Sequence, residues 1–207
     1  EVTILKEGSV IHPVIDGSLG DQAAWTASAP LQMMQVRLEY KIAPGLMWSD
    51  GSPVTSADFL FPFEVANELR NPQDLWLLER TSSVEQMDLT TVVWTGIPGF
   101  VPVDFEELVF PPIPFSQFSE ISPSEIGISA EANETPLGWG AYRISERTPG
   151  SVIQFERNPY FNPKPAYDQV VFLVVPDLEQ AISGLQSGEC DVLDPSYHLE
   201  GQSRDVL

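Results

Sequence analysis

The 207-residue sequence contains one cysteine, Cys190. No disulfide can form within it, and cysteine usage points to neither an oxidising nor a reducing compartment. Basic residues are scarce: ten Lys and Arg stand against thirty Asp and Glu, for a formal net charge of -20. The three lysines, Lys6, Lys41 and Lys164, lie far apart, and the arginines form no cluster. A phosphate backbone has to be met by Lys and Arg, so nucleic acid is not an expected partner, and anionic membrane surfaces are disfavoured on the same ground. Only two histidines are present, His12 and His198, and they are distant in sequence. No Gly-x-Ser-x-Gly elbow, His-Glu-x-x-His helix or Cys-x-x-Cys pair accompanies them, so neither a metal nor a cofactor is expected. A carboxylate-based hydrolase is the one enzymatic alternative, and nothing singles out two of the thirty acids for it. No apolar run approaches the ~20 residues that cross a bilayer. No basic start followed by an apolar core is present, so any export signal is expected outside these residues.

What is present is apolar material: 43% of residues are hydrophobic and 10% aromatic. Disorder requires low hydrophobicity as well as high net charge, so the chain is expected to fold, as one large domain or two small ones. The acidity reads as a solubilising skin, with a calcium or cationic-ligand role as the alternative.

Along the chain, residues 35–42 (QVRLEYKI) alternate, with Val36, Leu38, Tyr40 and Ile42 on one face of a strand. Asp50-Gly51 is a strong turn signal. Thr55 is placed to cap a helix, with Asp58 in its first turn. Apolar residues at 59, 60, 63, 66 and 69 then recur at helical spacing up to Arg70-Asn71-Pro72, with Pro62 as a distortion. Residues 84–95 read as two short strands or one strand with a turn at Asp88. Prolines at 98, 102, 111, 112 and 114 forbid a long helix over 96–118, leaving room for a short one near 104–109. Residues 119–135 read as an exposed loop.

Farther on, residues 141–157 predict a hairpin around Thr148-Pro149-Gly150. The run QVVFLVV, Gln169–Val175, predicts a strand buried on both faces. Leu178–Ser187 predicts an amphipathic helix ended by Gly188, and Cys190–Leu193 a further strand. Together the last three make a βαβ unit in a parallel or mixed sheet. Cys190 itself is expected as a small buried hydrophobe, and Glu156-Arg157-Asn158 as a structural salt bridge and turn.

Four ordered segments carry a resemblance. YKIAPGLMWSDGSPVTSADFLFPFE resembles a strand, Trp-x-Asp-Gly-x-Pro turn and helix of the oligopeptide/dipeptide/nickel-binding family (family 5) of bacterial ABC-transporter solute-binding proteins. TTVVWT, PLGWGAYRISERTPGSVIQFERNPYFNPKP and VVFLVVPDLEQAISGLQSGECDV are similar to three further segments of that family, in the same order. The resemblance implies an α/β (mixed α+β) fold. Residues 1–12 and 136–207 would form the first-lobe sheet of a two-lobe periplasmic-binding-protein-like architecture. Residues 13–135 would form the small inserted domain, and the second lobe would be absent.

The function this implies is extracytoplasmic capture of peptides, or another small solute, for an ABC importer. The protein would act as a monomer docking on a membrane permease, in the periplasm or on the cell surface as a lipoprotein, and would not be an enzyme. A stand-alone sensing or interaction domain built on the same lobe is the alternative. In such a fold Gly138, Trp139, Gly140 and Tyr142 would lie near cleft and hinge, where two glycines admit close backbone approach and an aromatic could cover an apolar ligand group. Packing is the competing role for Trp139, where the family often has a small residue. Tyr197 and His198 follow a strand end leading out of the sheet, where open α/β folds place ligands; an exposed linker to the second lobe is the competing role. Trp48, Asp50 and Gly51 are read as architectural.

Overall fold

The computed structural model describes residues 2–11, 14–15, 18–19, 23–26 and 28–194. Helices and strands are interspersed among them, in agreement with the mixed fold class. The strands before the first helix are β1 (Val2–Leu5), β2 (Val10–Ile11), β3 (Val14–Ile15), β4 (Ser18–Leu19), β5 (Ala23–Ala24), β6 (Leu31–Met34) and β7 (Arg37–Lys41). Then come α1 (Ala57–Leu69), α2 (Pro72–Leu78), β8 (Thr81–Asp88), β9 (Thr91–Gly96) and a 3-10 turn at Glu106–Leu108. Three single-turn helices follow, α3 (Phe115–Phe118), α4 (Pro123–Ile126) and α5 (Ala130–Asn133). The chain continues with β10 (Tyr142–Thr148), β11 (Val152–Arg157), β12 (Gln169–Leu173) and α6 (Leu178–Ser187). Two three-stranded antiparallel sheets, β7-β9-β8 and β10-β11-β12, dominate; β1 pairs with β6, β2 with β5 and β3 with β4.

The core sits on the first sheet. Its central strand β9 is buried from Thr91 to Trp94, so this is the strand covered on both faces. Ala66, Leu77, Leu78, Val84, Leu108 and Phe110 gather around Trp94, and Val36, Leu38 and Tyr40 pack against them. The alternation of residues 36–41 works as predicted, with Leu38 and Tyr40 inward and Arg37, Glu39 and Lys41 exposed. Each fully buried side chain of this kind contributes about 1.5–3 kcal/mol. A buried indole also needs a partner for its N–H. Trp94 Nε1 donates to Thr81 Oγ1 at 2.8 Å, and that hydroxyl donates to the Leu77 carbonyl at 2.8 Å.

Helix α1 follows the predicted span and ends with Arg70 in the left-handed region, φ 48°. Its start differs in detail. The cap position is Ser56, whose hydroxyl donates to the Asp88 carbonyl instead of accepting from the helix. Asp58 nevertheless reaches back three residues to accept the Thr55 N–H at 2.7 Å, the contact that a capping box makes when Thr55 is the cap. Pro72, read from sequence only as a stop, also occupies the first position of α2, where its missing N–H costs nothing. The 3-10 turn falls inside the predicted 104–109 window. Residues 119–135, predicted as loop, contain α4 and α5; Ser129 Oγ accepts the Ala132 N–H at 3.2 Å to cap the latter.

The hairpin of β10 and β11 turns at residues 149–151 with Gly150 at φ 71°, as predicted. The βαβ unit is corrected. β12 pairs antiparallel with β11, from Val152↔Leu173 to Glu156↔Gln169, and its burial pattern is open rather than closed. Helix α6 forms as predicted, with Asp177 accepting the Gln180 N–H at 2.8 Å and Gly188 left-handed at φ 75°. Beyond it no strand forms over 190–193. The chain instead folds back, the Cys190 N–H donating to the Gly184 carbonyl at 3.1 Å. Cys190 is half-buried, not buried, with its sulfur lying beside Gly184.

Candidate functional site

The Trp48–Ser52 turn is built locally. Asp50 Oδ1 accepts from the Ser52 N–H at 2.8 Å and from its hydroxyl at 2.7 Å, while Gly51 takes φ +91°. Desolvation raises the Asp50 carboxyl pKa, but the Ser52 hydrogen bonds outweigh it and hold the group below its ordinary value. The Trp48 indole is only 3% exposed. Its Nε1 donates to Asp58 Oδ2 at 3.2 Å.

Asp58, also 3% exposed, organises everything around that turn. Oδ2 serves Trp48 and Thr55, and Oδ1 accepts the Phe115 N–H at 2.7 Å. Its main-chain carbonyl accepts the Ile113 N–H at 3.0 Å. That carbonyl is open because the residue four along is Pro62, which has no N–H to donate.

The second sheet meets the first at this turn. The Trp139 ring stacks on Trp48 with centroids 5.1 Å apart and an interplanar angle of 26°, and on Phe59 at 6.4 Å. The Gly138 N–H donates to Ser49 Oγ at 3.3 Å, and Arg143 Nη1 to the Ser49 carbonyl at 2.9 Å. Arg143 is held in turn by Glu156, Nε to Oε1 at 2.8 Å. Asn158, 1% exposed, donates to the Gly140 carbonyl at 2.9 Å and accepts the Tyr160 N–H at 3.0 Å. That places the Tyr160 ring against Gly51, where a Cβ would stand 2.5 Å from Tyr160 Cζ. The Tyr142 hydroxyl donates to the Tyr167 carbonyl at 3.1 Å.

Of the residues singled out from sequence, Gly138, Trp139, Gly140 and Tyr142 therefore lie together at the joint between the two sheets. Tyr197 and His198 lie outside the described residues. Trp48, Asp50 and Gly51 hold the fold as expected, and Glu156, Arg157 and Asn158 make salt bridges and a turn, Arg157 pairing with Asp168. Ser49, Arg143 and Tyr160 were not singled out, and Asp58 was read only as a first-turn acid of α1. Their long-range partners lie 55 to 109 positions away and have no local signature; only the Asp50-Gly51 and Asn158-Pro159-Tyr160 turns hint at two surfaces that must fit.

The joint contains no nucleophile paired with a base. Among the described residues no three His, Cys, Asp or Glu side chains gather as metal ligands, and no helix is long and apolar enough to cross a membrane. A gap between Tyr40, Phe59, Trp94 and Phe110 measures about 10 Å³, room for one water at most. The arrangement can orient and clamp; its geometry offers no bond-breaking step.

The same architecture recurs in known proteins. CtaP, an ABC transporter substrate-binding protein of Listeria monocytogenes, superposes with a TM-score of 0.62 at 30% identity, over 74% of this chain and 32% of its own. A Brucella ovis protein named as an ABC transporter peptide-binding protein is 26% identical over 191 residues, 91% of this chain and 35% of that one. A Brucella melitensis protein named as a binding protein is 29% identical over 122 residues, 59% of this chain and 19% of that one. The matched segments thus span between a fifth and about a third of these proteins' own length. The fold is that of part of a solute-binding protein of the ABC-transporter kind. A family model matches residues 36–204, and the chain belongs to the bacterial extracellular solute-binding proteins, family 5. That is a family of binding proteins, not enzymes.

Proposed function

We propose that residues 1–207 belong to an extracytoplasmic receptor that captures peptides and delivers them to the permease of an ABC importer. The observation that carries this reading is the similarity, over 91% of the chain, to a Brucella ovis protein named as peptide-binding. Residues 1–12 and 136–207 are assigned to a first lobe, 13–135 to an inserted domain, and the second lobe to chain outside these residues. Gly138, Trp139, Gly140 and Tyr142 would contribute to the cleft wall, with Tyr197 and His198 beside them. Trp139 remains half-exposed while its ring stacks on Trp48, so it can serve packing and cover an apolar ligand group together. Capture would proceed by closure of the two lobes.

The test is thermal unfolding of the full-length protein with a pool of short peptides, with nickel complexes and oligosaccharides as comparison arms. Ligand at a hundred times its Kd stabilises by about 2.7 kcal/mol. The melting temperature should rise with peptide and not with the other two. A rise with nickel complexes or oligosaccharides alone would replace peptide as the cargo. Residues 1–207 by themselves should respond weakly, because half of the cleft is missing.

A further inference from the structure

Trp139 lies in a stretch that no ladder holds. Residues 134–141 run between α5 and β10 outside any helix or strand, so their main-chain groups need partners elsewhere. Side chains from three separate parts of the chain supply several of them. Ser49 Oγ accepts the Gly138 N–H at 3.3 Å, and Asn158 Nδ2 donates to the Gly140 carbonyl at 2.9 Å. The third side chain is Gln117 of α3, half-buried and engaged at both ends of its carboxamide. Its Nε2 donates to the Thr135 carbonyl at 2.9 Å and to the Glu131 carbonyl at 3.5 Å, and its Oε1 accepts the Leu137 N–H at 3.3 Å. Donor and acceptor on one rigid plane thus grip the main chain just ahead of Trp139. Glu at that position would lack the donor, and Met would lack both the donor and a strong acceptor.

This clamp and the ring beneath Trp139 hang from one carboxylate. Asp58 Oδ1 accepts the Phe115 N–H at the start of α3, while Oδ2 accepts from Trp48 Nε1. Helix α3 is also packed down: Phe118 is buried, and the Phe115 ring meets Phe61 edge to face at 5.5 Å. A closed circuit results. It runs from Asp58 through α3 and Gln117 to Leu137 and Trp139, and returns through the stack on Trp48. Main chain and ring are therefore held in register from the same point.

We infer that Gln117 is a positioning residue for Trp139: by holding Thr135 and Leu137 it sets the indole over Trp48, and with it the apolar surface that the ring offers to a ligand. The consequence for ligand rests on the proposed peptide-capturing role of Trp139; the setting of the ring does not.

The full-length protein carrying Gln117→Met is the test. Two indoles 5.1 Å apart and 26° from parallel couple their transitions, and the difference in far-ultraviolet circular dichroism against Trp139→Phe isolates that couplet. In Gln117→Met the couplet should largely disappear. Affinity for the pool of short peptides should weaken by up to ~10-fold, the size of one aromatic contact. In a Trp139→Ala background, Gln117→Met should weaken it no further. Gln117→Asn keeps both bonding groups on a shorter side chain and should retain part of the couplet; it carries the same comparison if Gln117→Met does not fold. An unchanged couplet in Gln117→Met would overturn the inference, as would equal weakening of peptide affinity with and without the Trp139 ring. If the couplet is lost while peptide affinity stays the same, or while no peptide binds at all, Gln117 still positions the ring, and the ligand role of Trp139 is what fails.

Discussion

The main-chain carbonyl of Asp58 accepts the N–H of Ile113 at 3.0 Å. The pairing exists because Pro62, four residues along α1, leaves that carbonyl vacant. A proline that looks like a helix defect in the sequence thereby fastens the proline-rich segment to the helix. Pro62→Ala would offer the carbonyl a second donor. Amides of Ile113 and Phe115 should then exchange faster, with α1 intact by circular dichroism; unchanged exchange would show that the segment is anchored without this bond.

Asp58→Asn tests the carboxylate itself. Both oxygens accept from Trp48, Thr55 and Phe115, and an amide would turn an NH2 toward one of those donors. A buried donor left without an acceptor costs about 1–3 kcal/mol. Urea unfolding should show a loss of that size, with Trp48 fluorescence shifted to the red.

Gly51→Ala meets two obstacles, the left-handed φ of +91° and the Tyr160 ring. The left-handed geometry alone costs a non-glycine residue about 1–2 kcal/mol. The steric part should vanish in Gly51→Ala/Tyr160→Ala, so a double-mutant cycle should give a coupling of at least ~0.5 kcal/mol. Strict additivity would mean that the ring moves aside freely.

Trp139→Ala removes the ring stacked on Trp48 and Phe59. Such pairs contribute about 0.5–1.5 kcal/mol beyond area burial. Unfolding of residues 1–207 should weaken by at least that much, and Trp139→Phe should restore part of it. No change in stability would argue that the ring serves ligand contact alone.

At the β8–β9 turn, the Thr90 N–H donates to Asp88 Oδ1 at 2.7 Å. That bond, followed by the Thr91 hydroxyl, holds the Asp88 carboxyl below its ordinary value. A carboxyl lowered in the folded state binds fewer protons there than in the unfolded chain. Its contribution is complete above the ordinary carboxylate range and is lost as pH falls through the folded value. The urea midpoint should therefore fall on acidification from about pH 5, just above the ordinary carboxylate pKa, and fall less in Asp88→Asn.

The sequence by itself determined the elements whose hydrogen bonds close within a few residues. The Asp50–Ser52 turn, the Asp88 turn and the Asp177 cap of α6 follow from side chains reaching two or three positions along the chain, and the Gly150 hairpin and the Gly188 end of α6 from a glycine at positive φ. The four ordered motifs, and with them the family, were legible for the same reason. Tertiary structure decided what lies between elements. Whether QVVFLVV or TVVWT is covered on both faces depends on what packs over it, and both runs look alike in one dimension. The stacking of Trp139 on Trp48, the seat of Tyr160 against Gly51 and the hold of Asp58 on Phe115 join residues 57 to 109 positions apart. Only the folded chain brings those surfaces within reach, because van der Waals contacts and hydrogen bonds act over a few ångströms and carry no trace along the backbone.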